Sequence, residues 1–120
     1  MKIAITAQGK ELASPVDARF GRAKYFVVFD DATETTVAQD NSQNVNAAQG
    51  AGIQAAQNVS ALGVEAVITG NVGPKAFRTL KAAGIRIFTG ASGSVADAVS
   101  AMKAGRLTET QDATVEGHWM

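Results

Sequence analysis

The chain has 120 residues, 46% hydrophobic and 18% charged, which suits one globular domain and excludes a disordered chain. Eleven Lys and Arg balance eleven Asp and Glu, which argues against a basic nucleic-acid binder or an acidic tail protein. The absence of cysteine excludes disulfides, thiolate zinc sites, a cysteine nucleophile and iron–sulfur clusters held by the chain's own thiolates.

A cysteine-free small domain fits a reducing compartment. Met1–Thr6 reads as a strand, not as the apolar stretch of a signal peptide. No apolar run approaches the roughly 20 residues that span a bilayer. The expectation is a cytoplasmic protein away from the membrane and nucleic acid.

In chain order, Ile3–Thr6 predicts a first strand buried on both faces. Gln8–Glu11 is a polar loop, and Ser14-Pro15-Val16-Asp17 is turn chemistry, with Asp17 able to cap a short helical turn. Tyr25–Phe29 is the most β-prone run; Asp30-Asp31 ends it and Thr35–Ala38 returns, so residues 25–38 read as a hairpin. Asn41–Gln49, rich in Asn and Gln, reads as a loop of about ten residues, long enough to be a functional candidate.

From Gly50 the pattern turns helical. Ala55, Ala56, Val59 and Leu62 share a helix face closed by Gly63. Glu65–Thr69 is a buried strand, and Pro74 suits the first turn of a second helix whose face is Ala76, Phe77, Leu80 and Ala83, closed by Gly84. Ile85–Thr89 is another strand. Ser94 with Asp97 resembles a capping box opening a third helix with face Val95, Ala98, Val99 and Met102, closed by Gly105. Residues 106–120 lack a period and predict a frayed end, so the domain is read as 1–107 and the tail as 108–120.

Thr69-Gly70-Asn71-Val72-Gly73-Pro74 and Thr89-Gly90-Ala91-Ser92-Gly93-Ser94 are two copies of one unit, each between an apolar strand and a helix. The simple account is ordinary strand-to-helix grammar; the pattern still predicts parallel strands joined by right-handed crossovers. An N-terminal meander followed by βα units gives an α/β domain with a mixed five-stranded sheet. Ligands of such sheets bind at the C-terminal ends of the strands.

Three helices begin near glycines, at Gly50-Ala51-Gly52, Gly70–Gly73 and Gly90–Gly93. Helix N-termini expose unpaired amides and a positive dipole end, so converging ends would form an anion site built from backbone. Arg19, Arg22 and Lys24 are the one cationic cluster; they are either an anion clamp or a solvated loop with Phe20 tucked into the core. There is no Walker A loop and no dinucleotide-binding glycine motif. Hydrolytic catalysis lacks parts, because the only histidine is His118 and the first strand carries no carboxylate for metal-dependent nuclease chemistry. His118, Met120 and Met1 could touch a soft metal, or His118-Trp119-Met120 is simply a free end.

Met1–Ile5, Ser14-Pro15, Arg19-Phe20-Gly21-Arg22-Ala23-Lys24-Tyr25-Phe26, Gly50-Ala51-Gly52, Val67–Ala76, Leu80 and Gly84-Ile85 together resemble the dinitrogenase iron–molybdenum cofactor biosynthesis family over residues 1 to about 107. The resemblance implies a ribonuclease-H-like fold with strand order 3-2-1-4-5, and binding or carriage of a metal–sulfur cluster instead of catalysis. The lack of Cys in the loops favours its small, orange-protein-like branch. For that branch the resemblance implies a molybdenum–copper sulfide cluster held without covalent bonds, with an iron–molybdenum or iron–sulfur precursor as the alternative cargo. It also implies an association with ATPases of the Mrp/MinD type.

The expected cofactor-binding set is Ser14, Arg19, Phe20, Gly21, Arg22, Gly50, Ala51, Gly52, Gly70, Asn71, Val72, Gly73, Gly90, Ser92 and Gly93, with no protein ligand to the metal. The competing reading is an adaptor that recruits such an ATPase without an essential cluster. A nuclease or nucleotide enzyme on the same fold is the weakest reading.

Overall fold

The computed structural model describes residues 1–42 and 50–114. The elements are β1 (Lys2–Ala7), β2 (Tyr25–Asp30), β3 (Thr35–Asp40), α1 (Ala51–Ser60), β4 (Ala66–Ile68), α2 (Pro74–Ala82), β5 (Arg86–Phe88) and α3 (Val95–Lys103). They form one mixed sheet in the order β3-β2-β1-β4-β5. β1 pairs antiparallel with β2 and parallel with β4. Its continuous apolar run follows from that central place, because both faces are covered.

Alternation along the strands sends side chains to two cores. Ala4, Phe26, Val67 and Ile87 pack with Ala55, Ala56 and Val59 of α1 and Phe77 and Leu80 of α2. Ile3, Ile5, Val27, Phe29 and Ile68 pack on the other face with Val95, Ala98 and Val99 of α3. The helices end at Gly63, Gly84 and Gly105, with φ of 74°, 77° and 70°, the left-handed region that costs glycine least. Ser94 and Asp97 form a reciprocal capping box at α3.

The chain departs from the sequence reading after α3. The tail expected to fray from residue 108 is instead pinned as far as Thr114. Glu109 bridges Phe88, and the Thr110 amide donates to the Ile87 carbonyl at 2.7 Å. Ala113 packs on the core beneath α1 and α2, and the Thr114 amide donates to the Val72 carbonyl at 2.9 Å. This strap is held by backbone pairing along the β5 edge, which needs no side-chain period. The expectations for residues 43–49 and for His118, Trp119 and Met120 lie outside the described residues.

Candidate functional site

The C-terminal ends of β1, β4 and β5 are covered by the segment between β1 and β2. That segment is held from below by a buried polar chain. The Thr6 hydroxyl donates to the Asp17 carbonyl at 2.7 Å and lies 2.8 Å from the Thr69 hydroxyl. The Asp17 amide donates to the Thr6 carbonyl at 2.9 Å. Buried polar groups are tolerated when paired in this way. The Asp17 carboxylate accepts from the Arg19 amide at 2.9 Å, an Asx turn and not the start of a helix, and lies 3.6 Å from Arg19 Nε.

After Asp17 the loop runs beside the β4–α2 turn. The Asn71 amide donates to the Ala18 carbonyl at 2.7 Å and the Phe20 amide to the Asn71 carbonyl at 3.2 Å. Glycine is required on both sides of this seat. A Cβ at Gly70 would lie 2.6 Å from Ala18 Cα, and one at Gly21 would lie 2.7 Å from the Gly52 nitrogen. Gly52 in turn faces Ala76, its built Cβ 3.4 Å from the Ala76 Cβ. The N-termini of α1 and α2 and the Arg19–Arg22 loop are thereby brought together.

Within this cluster the residues divide by burial. Arg19 is half exposed and Arg22 half-buried. Phe20 is fully buried and packs against Phe26 with ring centroids 5.5 Å apart, so its side chain belongs to the core. Val72 is equally buried, and its amide is taken by the Thr114 hydroxyl at 2.9 Å. Gly21, Ala51, Gly70 and Gly73 are buried backbone, Gly52 and Asn71 are half-buried, and Gly50 is exposed. Among the described residues, none accepts the amides of Ala51, Gly52 and Ile53 at α1, or of Lys75 and Ala76 at α2.

The third helix start differs. The Val95 amide donates to the Ser14 carbonyl at 2.9 Å and the Ala96 amide to the Leu12 carbonyl at 2.8 Å. The Asp97 amide donates to Ser94 Oγ at 3.1 Å, and the Asp97 carboxylate accepts from the Ser94 amide at 3.0 Å. That amide bond, aided by the Ser94 hydroxyl, holds the Asp97 carboxyl below the usual range. The expectation of unpaired amides is therefore corrected for α3: the chain's own loop fills them. Ser14, Gly90, Ser92 and Gly93 fall on this filled side; the Gly93 carbonyl itself accepts from the Val16 amide at 2.9 Å.

The residues that build the site without belonging to the expected binding set are Asp17, Thr6, Thr69, Asn41 and Thr114. Asn41 is fully buried; its side chain donates to the Ala23 carbonyl at 2.8 Å, while its amide donates to the Lys24 carbonyl at 2.7 Å. The Asp-x-Arg spacing carries the signal of an Asx turn; Asn41 is visible in the sequence only as the start of the polar loop 41–49, and nothing there marks Thr114. Among the described residues there is no group of three or more His, Cys, Asp or Glu side chains that could hold a metal ion. No described helix is long and apolar enough to cross a membrane.

Residues 1–105 match the profile of the family described as dinitrogenase iron-molybdenum cofactor. The apo form of the orange protein from Desulfovibrio gigas is 40% identical and superposes with a TM-score of 0.92, covering 95% of this chain and 96% of that one. A Thermotoga protein named for NifB, solved by NMR, is 39% identical with a TM-score of 0.84, covering 97% and 98%. An uncharacterised protein from Methanocaldococcus jannaschii is 28% identical over 109 residues, 89% of each chain.

Proposed function

The chain belongs to the dinitrogenase iron–molybdenum cofactor family, and on that premise we propose that it binds and carries an anionic metal–sulfur cluster as cargo. Family membership and the likeness to the orange protein are consistent with binding or carriage of a metal cluster. The carrying observation is the meeting of the α1 and α2 N-termini with the Arg19–Arg22 loop, where Gly21 packs against Gly52 and Gly70 against Ala18.

The residues fit a cluster that arrives with its own sulfide ligands. The described side chains offer no ligand set for a bare metal ion. The backbone offers amide donors at two helix starts, and Arg19 and Arg22 belong to the loop whose backbone packs against them. Amides and guanidinium groups favour a polyanion by charge-assisted hydrogen bonds and by the helix dipoles. The proposed cargo is the one the resemblance implies, a molybdenum–copper sulfide, with an iron–molybdenum or iron–sulfur precursor as the alternative.

The test is titration of the metal-free protein with tetrathiomolybdate and copper, followed by gel filtration. Visible charge-transfer bands that travel with the protein support carriage. Arg19→Ala with Arg22→Ala should lower retention roughly tenfold or more, with an unchanged thermal midpoint. Full retention in the double variant removes the guanidinium contribution. A protein that stays colourless overturns carriage and turns attention to recruitment of an Mrp/MinD-type ATPase.

A further inference from the structure

At the opposite end of the sheet, where β1 and β5 begin and α3 ends, lies a cavity of about 340 Å³. Its walls are apolar, built from Ile3, Phe29, Phe88, Val99 and Leu107 with Met102 beside them. That volume falls in the lower part of the range of small-molecule sites, roughly 300–1,000 Å³. None of its lining residues belongs to the α1–α2–Arg19 cluster.

Two cations line it, and each lies on an aromatic wall. The Arg86 guanidinium is 5.2 Å from the Phe88 ring centroid, and the Lys103 ammonium is 5.1 Å from that of Phe29. Each is steadied by a carboxylate that is not part of the lining, Glu109 at 2.9 Å from Arg86 and Glu34 at 3.5 Å from Lys103. Such exposed pairs are worth little and yield readily to another anion. The one carboxylate on the lining, Asp31, is engaged by the Met1 nitrogen at 2.6 Å.

The Arg106 amide donates to the Ala101 carbonyl at 2.9 Å and the Gly105 amide to the Met102 carbonyl at 3.1 Å, a Schellman closure that ends α3 beside the hollow. An apolar hollow with two cations at its rim complements a molecule that is apolar at one end and anionic at the other. We infer that this cavity is a second binding site, separate from the cluster site, for a small amphipathic anion: an aromatic or short-chain carboxylate. Its apolar body lies against Ile3, Val99 and Leu107, and its carboxylate lies at the rim beside Lys103.

The test is a ¹H–¹⁵N NMR titration of the full chain with 2-naphthoate, beside the neutral 2-naphthalenemethanol and the cationic 2-naphthylmethylamine. The expected result is saturable shifts at Ile3, Val99, Gly105 and Leu107, with naphthoate bound at least tenfold more tightly than the alcohol and the amine weakest. Lys103→Glu, on the surface, should erase the preference for naphthoate while leaving binding of the alcohol. Val99→Trp should fill the hollow and abolish both; if it fails to fold, Lys103→Glu decides alone. Equal binding of acid and amine, shifts confined to the starts of α1 and α2, or no saturable shift would overturn the inference.

Discussion

The two strand-to-helix turns that share the pattern Thr-Gly-x-x-Gly have opposite fates. At Thr89–Ser94 the chain's own carbonyls at Leu12 and Ser14, with the Ser94 hydroxyl, take up the first amides of α3. At Thr69–Pro74 the same covering loop has moved sideways. It pairs with Asn71 and leaves Lys75 and Ala76 without an acceptor among the described residues. One grammar thus gives a sealed helix start and an available one. The difference is made by the acceptors that the rest of the chain brings, so a helix N-terminus acquires a role only through its surroundings.

The largest expected effect breaks the available half. Gly70→Ala or Gly21→Ala drives a methyl into backbone 2.6–2.7 Å away, at Ala18 or Gly52. Overpacking of this kind costs about 1–3 kcal/mol, and it should also unseat Arg19. Urea unfolding should show the lost stability, and thiometallate retention should fall with it.

Breaking the sealed half should separate stability from binding. Ser94→Ala removes a cap worth about 1 kcal/mol, so the unfolding midpoint should fall while cluster retention stays as it was. Thr114→Val removes the hydroxyl that accepts the Val72 amide. It should cost about 0.5–1.5 kcal/mol, measured by the same denaturation, and it returns one amide to the α2 side.

The smallest effect is a pH dependence at α3. The Asp97 carboxyl is held low first by the Ser94 amide and then by its hydroxyl. Its folded pKa lies below its unfolded one, so its contribution is complete above the ordinary aspartate value of about 4. It is lost as pH falls through the depressed folded value. The thermal midpoints of the native chain and Asp97→Asn should therefore differ near neutrality and converge in acid.

Most of the fold was legible because it rests on local pattern. The apolar run of β1, the hairpin, the helix faces, the three helix-ending glycines and the Ser94–Asp97 box all have short-range signatures. The site was legible only in part. The Arg19–Arg22 segment and the glycine turns were visible as motifs, but which helix start the loop would cover depends on contacts far apart in the chain. Leu12 reaching Ala96, and Thr114 reaching Val72, are backbone bonds that any residues could make. Phe20 shows the same limit. Composition favours the core and the family resemblance favours a cofactor contact, and its packing against Phe26 places the side chain in the core. The strap from Glu109 to Thr114 was missed because its pairing carries no period.

The most direct measurement is a ¹H–¹⁵N NMR titration of the metal-free protein with tetrathiomolybdate and copper, read at the helix starts. The account predicts that the amides of Gly52, Ile53, Lys75 and Ala76 and the Nε–H groups of Arg19 and Arg22 shift with saturation, while Val95 and Ala96 stay still. Shifts centred on Val95 and Ala96, or spread evenly over all three helix starts, would contradict it.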